Sequence, residues 1–73
     1  MYSTKGIILH REDFRERDER VVLYTKDFGK ISVVVKGVKR IEAKLRGNVD
    51  IFNVVDITFV EGAYFLILTG IEC

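Results

Sequence analysis

Apolar and polar residues alternate along much of this chain with a period of two, the pattern of half-buried β-strands. Thr4–Arg11 is the first such run, with Ile7, Ile8 and Leu9 between polar ends. Glu12–Arg20 then alternates acid and base almost residue by residue, with Phe14 as its one apolar member. That pattern predicts a solvated loop or a short charged helical turn. Arg20–Lys26 resumes strand character through Val21, Val22, Leu23, Tyr24 and Thr25. Asp27-Phe28-Gly29-Lys30 reads as a turn, with Gly29 able to take a positive φ. Ile31–Lys36 follows, with Ile31, Val33 and Val35 on one face and Ser32, Val34 and Lys36 on the other. Two β-branched runs around a short glycine turn predict a β-hairpin, the strongest local signal in the chain.

Gly37–Gly47 changes character. Ile41 and Leu45 are four apart, which gives a small apolar stripe on a short helix. Gly47 suits the residue just past its end, and the late basic residues suit the negative pole. Phe52–Val60 is strand-like again, with Val55, Ile57 and Phe59 alternating with Val54, Asp56 and Thr58. Glu61-Gly62-Ala63 is a second tight turn, and Tyr64–Ile71 forms a mostly apolar final strand. No proline confines any strand to an edge. The expectation is all-β: a small five-stranded Greek-key barrel of the OB type, with a short helical segment between strands 3 and 4. Closure would remove edges that a small domain cannot cover. An SH3-like barrel is the rival that short strands leave open.

Size and composition narrow the class. At 73 residues, residues 1–73 read as one domain with no second core, a size at which only about 60–65% of the chain's surface can be buried. Cys73 and His10 are the only residues of their types, so neither an internal disulfide nor a Cys/His zinc site can be assembled. The expectation is no metal and no cofactor, His10 as a strand residue and Cys73 as a thiol suited to a reducing cytosol. No apolar run approaches the ~20 residues of a membrane span, and no basic stretch followed by a long apolar one marks a secretory signal. The chain is therefore expected to be soluble and cytoplasmic. No catalytic Ser/His/Asp or Cys/His set can be built, and Gly29, Gly37 and Gly47 are isolated, not a phosphate-binding loop. An enzyme is not expected.

Net charge is only +1, but its distribution is uneven. Between Lys30 and Gly47, Lys30, Lys36, Lys39, Arg40, Lys44 and Arg46 face a single acid, Glu42. From Asn48 onward the ionised side chains are all acidic: Asp50, Asp56, Glu61 and Glu72. A barrel built from these pieces has a basic and an acidic side. The basic stretch suits phosphate contact, which displaces condensed counterions whatever the base sequence; equally, it suits an ordinary solubilising loop. Among the aromatics, Tyr24 falls on the presumed outer face beside Val22 and Lys26. There it can stack a base or simply pack on its neighbours. Phe28 is at the hairpin tip, Tyr64 beside a turn and Phe14 in the charged loop, while Phe52, Phe59 and Phe65 are expected in the core.

A family resemblance joins these pieces. Gly6-Ile7-Ile8-Leu9, Asp13-Phe14 and Asp18-Glu19-Arg20-Val21-Val22-Leu23-Tyr24-Thr25 resemble the opening of the RecO recombination-repair proteins. So do Phe28-Gly29-Lys30, Val35-Lys36-Gly37-Val38-Lys39-Arg40, Lys44-Leu45-Arg46-Gly47, Phe52 and the Glu61-Gly62 turn. The likeness runs in order along essentially the whole chain and is to that family's N-terminal OB domain. It implies binding of single- and double-stranded DNA, strand annealing, and work with RecR in loading recombinase onto gaps. The family's basic surface would map to Lys36, Lys39, Arg40, Lys44 and Arg46, with Arg20, Lys26, Lys30 and Tyr24 on the hairpin. RecO proteins normally continue into a helical domain, often with a zinc-binding cysteine cluster, and these 73 residues hold no counterpart of it. The alternative is a protein-interaction barrel whose acidic face and exposed Val22, Val34 and Tyr24 dock RecR or a second copy.

Overall fold

The computed structural model describes residues 1–36 and 51–72. They form five strands: β1 (Tyr2–Phe14), β2 (Asp18–Thr25), β3 (Gly29–Val35), β4 (Val54–Glu61) and β5 (Leu66–Glu72). The strands close in the order β1-β2-β3-β5-β4, with β4 returning to β1. All pairs are antiparallel except β3 with β5. This closed, all-β, five-strand barrel is consistent with the OB type. The expected helix over Gly37–Gly47 lies outside the described residues, as do Lys39, Arg40, Lys44 and Arg46.

Period-two patterning turns directly into burial. Ile8, Val21, Leu23, Val33, Val35, Val55, Ile57, Phe59 and Leu68 form one buried cluster, with Ile31, Leu66 and Ile71 packed against it. Val34 is also buried, although it points to the opposite face from Val33 and Val35, so it is not the exposed docking residue expected. Phe59 is a core residue as expected. Phe65 is only half-buried, and Phe52 is 74% exposed at a positive φ of 71°. Phe52 precedes β4 instead of opening it, which removes it from the alternation that buries Val55, Ile57 and Phe59.

The charged stretch is strand, not loop or helical turn. β1 continues to Phe14, and only residues 15–17 form the turn into β2. The acid–base alternation is the trace of an antiparallel ladder, in which residues far apart in sequence face each other. Glu12 stands opposite Arg20 and accepts hydrogen bonds from its guanidinium. Diagonally on the other face, Arg11 donates two hydrogen bonds to the buried Glu19. Pairing across the hairpin, eight residues apart, thus replaces the i,i+4 helical spacing as the organising relation.

The β2–β3 turn follows expectation. Gly29 takes a φ of +68° opposite Thr25. The Thr25 hydroxyl accepts the Phe28 N–H at 3.0 Å and donates to the Gly29 carbonyl at 2.8 Å. Asp27 ties this turn to β1 by accepting the Thr4 hydroxyl at 2.8 Å. Below it, Tyr2, Phe28 and Phe59 form an aromatic plug with ring centroids 5.3–5.6 Å apart. Phe28 at the hairpin tip is therefore a lid on the core.

Candidate nucleic-acid interface

The ladder register places outward-facing residues in rows across β1, β2 and β3. One row runs Val54–Ile7–Tyr24–Lys30. Tyr24 is 60% exposed, and Lys30 is exposed beside it. Lys26, two residues beyond Tyr24 on the same face, hydrogen-bonds through its N–H to the Lys5 carbonyl at 2.8 Å. The next row brings His10, Val22 and Ser32 together, and the row after it Glu12, Arg20 and Val34. A register shift between Ile8 and His10 leaves Leu9 as an extra exposed residue on β1. A bulge of this kind bends and twists the strand around the barrel.

Carboxylates decide which cations are free. Lys5 lies 4.0 Å from Asp56, Arg11 is paired with Glu19, and Arg20 with Glu12. Among the described residues, Arg15, Lys26, Lys30 and Lys36 have no such partner. These four fall at two places. Lys26 and Lys30 flank Tyr24 near the β2–β3 turn. Arg15 and Lys36 sit at the other end of the barrel, on an aromatic platform the sequence reading did not foresee. Phe14 and Phe65 meet edge to face with centroids 5.3 Å apart. The Arg15 guanidinium lies 5.3 Å from one ring centroid and 5.2 Å from the other, and Lys36 Nζ lies 5.9 Å from Phe65. Tyr64, the next residue, is 91% exposed.

Of the sequence-derived site residues, Tyr24, Lys26 and Lys30 thus come together, Arg20 stands nearby but neutralised, and Lys36 lies at the far end of β3. Lys30 to Lys36 is six residues of strand, about 20 Å at roughly 3.3 Å per residue. Arg15, Tyr64 and Phe65 were missed as a group, since they come from separate turns. The one local hint is the apolar Phe14 in a charged run. Among the described residues no group of three or more His, Cys, Asp or Glu side chains could hold a metal ion. None of the described residues forms a helix long and apolar enough to cross a membrane.

This face can do two kinds of chemistry. Unpaired ammonium and guanidinium groups attract phosphates, and exposed rings offer surfaces for bases. In OB-type barrels generally, the β2–β3 face and the β1–β2 and β4–β5 loops take oligonucleotides and oligosaccharides. These are the places where Tyr24, Lys30, Arg15 and Tyr64 stand.

Relatives resemble the chain along nearly all of its length. It is 29% identical over 72 residues to the DNA repair protein RecO of Cutibacterium acnes, covering 99% of this chain and 29% of that protein. RecO of Listeria welshimeri is 36% identical over 62 residues, 85% of this chain and 24% of the relative. RecO of Rhodopirellula baltica is 38% identical over 56 residues, 77% of this chain and 21% of the relative. The chain therefore spans less than a third of the length of these proteins. The model of the family described as recombination protein O, N terminal, matches residues 1–72. With barrel, strand order and likeness in agreement, the chain belongs to the RecO N-terminal family.

Proposed function

We propose that this barrel is a DNA-binding module of recombinational repair, holding the phosphate backbone along the outer face of β2 and β3. The observation that carries the reading is the row in which exposed Tyr24 stands between unneutralised Lys26 and Lys30. Lys36 and Arg15 extend the track toward the far end of β3. Lys39, Arg40, Lys44 and Arg46 add cationic sequence directly after Lys36. The repair role rests on family membership and on the names of the relatives. Strand annealing follows from the same surface, since holding two strands by their backbones leaves their bases free to pair. It needs no covalent chemistry, and no enzymatic step is assigned. A reducing cytosol is the proposed compartment.

The test is fluorescence anisotropy with labelled single- and double-stranded oligonucleotides over a salt series. For about four to six phosphate contacts on a single strand, log K should fall against log salt with a slope of roughly −3 to −4. No binding at low salt would remove the reading. A second reading, docking of RecR or of another copy, is favoured by one feature. Ile7, Leu9, Ile51, Phe52 and Val54 are exposed apolar residues along β1 and the entry to β4, and sets of this kind mark interaction sites when they are contiguous. Light scattering with and without RecR separates the two: a strict monomer that ignores RecR defeats docking and leaves DNA binding standing.

A further inference from the structure

We infer that the end of the barrel formed by Phe14, Arg15, Lys36, Tyr64 and Phe65 is a base-stacking clamp that selects unpaired nucleotides. The inference rests on the DNA-binding reading above and assigns strand preference to a site separate from the Tyr24 face.

Arg15 follows from three observations. Its guanidinium lies against two rings at once, it has no carboxylate partner among the described residues despite Asp13 and Glu16 nearby in sequence, and its backbone sits at a φ of +59°. A non-glycine residue in that region costs about 1–2 kcal/mol and persists where surrounding contacts hold it. Here the aromatic pair supplies such contacts. A guanidinium lying on rings keeps its donors available to an anion while its stem is already ordered. Lys36 brings a second positive charge to the same Phe65 ring. The polar half of the clamp is therefore a phosphate site.

Its other half is Tyr64. At 91% exposure, this ring covers no core residue, yet its neighbour Phe65 anchors it to the platform. The loop behind it is fixed: the Gly62 N–H donates to the Phe65 carbonyl at 2.9 Å, and that oxygen would stand only 2.6 Å from a Cβ at position 62. A rigidly based, exposed ring beside a phosphate site suits a nucleotide whose base has a free face. Bases inside a duplex are stacked on both sides and offer none, so the clamp favours single strands and frayed junctions.

The experiment compares three probes of equal length: a single-stranded oligonucleotide, the same backbone carrying abasic sites, and a duplex. The 73-residue chain is titrated as wild type, Tyr64→Ala and Arg15→Gln. Because Tyr64 is almost wholly exposed, its removal should leave the circular dichroism spectrum and melting temperature unchanged. Expected is a loss of roughly five- to 150-fold on the single strand for Tyr64→Ala, the worth of one base stacked on a ring, with abasic and duplex affinities unmoved. Arg15→Gln should weaken the single-stranded and abasic probes alike. If Tyr64→Ala leaves single-strand affinity unchanged, or lowers abasic binding equally, the clamp is refuted while backbone binding stands. If wild type binds none of the probes, both readings fall together.

Discussion

Glu12 occupies the position from which one carboxylate determines whether a cation on the proposed DNA face is available, and removing it makes the sharpest prediction. Arg20 lies in the outward row that continues the Tyr24–Lys30 face, but its guanidinium is held by the Glu12 carboxylate across the hairpin. Both side chains are about 40% exposed, so the pair contributes less than about 1 kcal/mol to folding. Glu12→Gln keeps the size and hydrogen-bonding capacity of the side chain and removes its charge. Arg20 is then free to meet a phosphate. One added contact steepens the single-strand salt slope by about 0.7, which over a fourfold rise in salt is a further loss of roughly 2.6-fold in K. At low salt the variant should bind more tightly than wild type. Arg20→Gln should change neither slope nor affinity, whereas Lys30→Gln should flatten the slope by about 0.7. The assay is anisotropy over a salt series, with thermal melts to confirm that each variant is folded. Equal flattening by Arg20→Gln and Lys30→Gln would refute the argument, because it would mean that local pairing does not decide which cations act.

Other perturbations test the fold that positions this face. Arg11→Ala should destabilise by up to about 3–5 kcal/mol in urea unfolding, since it strands the buried Glu19 carboxylate; the double change Arg11→Leu with Glu19→Leu should cost less than the single one. Leu23→Ala, at 1% exposure in the centre of the core, should cost about 2–5 kcal/mol and lower the urea midpoint without altering the salt slope. The Tyr2 phenol ionises above its ordinary 10.0, because it donates a 2.5 Å hydrogen bond to Glu61, whose charge also opposes the phenolate, with a smaller effect of desolvation. That contact therefore stabilises the fold below pH 10 and is lost as pH rises through the raised pKa. Ultraviolet titration should find the Tyr2 transition lowered in Glu61→Gln, and an unchanged transition would dismiss the contact.

Much of the barrel was legible because strand burial is written with a period of two. Val21, Leu23, Val33, Val35, Val55, Ile57 and Phe59 could all be placed from alternation alone, and Gly29 from the need for a positive φ at the turn. The reading failed where a long-range partner supplies the meaning. The charges from Arg11 to Arg20 look like solvated loop in one dimension, and only the antiparallel register turns them into two cross-strand ion pairs. Val34 looked exposed by alternation and is buried. Phe65 looked like core, and the turn that carries it brings it out to meet Phe14 and Arg15. For the proposed interface, Tyr24, Lys26 and Lys30 were readable because one hairpin holds all three. The Arg15–Tyr64 end was not, since closure of the barrel alone brings its parts together.

The same register explains how a chain with a net charge of only +1 can offer a polyanion a favourable surface. What a phosphate meets is the local imbalance left after short-range pairing, not the total. Several acids have structural partners: Glu12 with Arg20, Glu19 with Arg11, Asp56 with Lys5, Asp27 with the Thr4 hydroxyl and Glu61 with Tyr2. Each of these contacts ties one strand or turn to another, so the carboxylates serve closure of the barrel. Three of them also silence a cation that would otherwise compete for the ligand. The free charges are then confined to Lys26 and Lys30 at one end of the β2–β3 face and to Arg15 and Lys36 at the other. A strand bound between those ends follows a track set by where the carboxylates are absent. On this argument, moving an acid onto the track, as in Ser32→Asp between the two ends, should reduce affinity more than the same charge added at exposed Thr69 on β5. Equal effects at the two positions would mean that net charge alone governs binding.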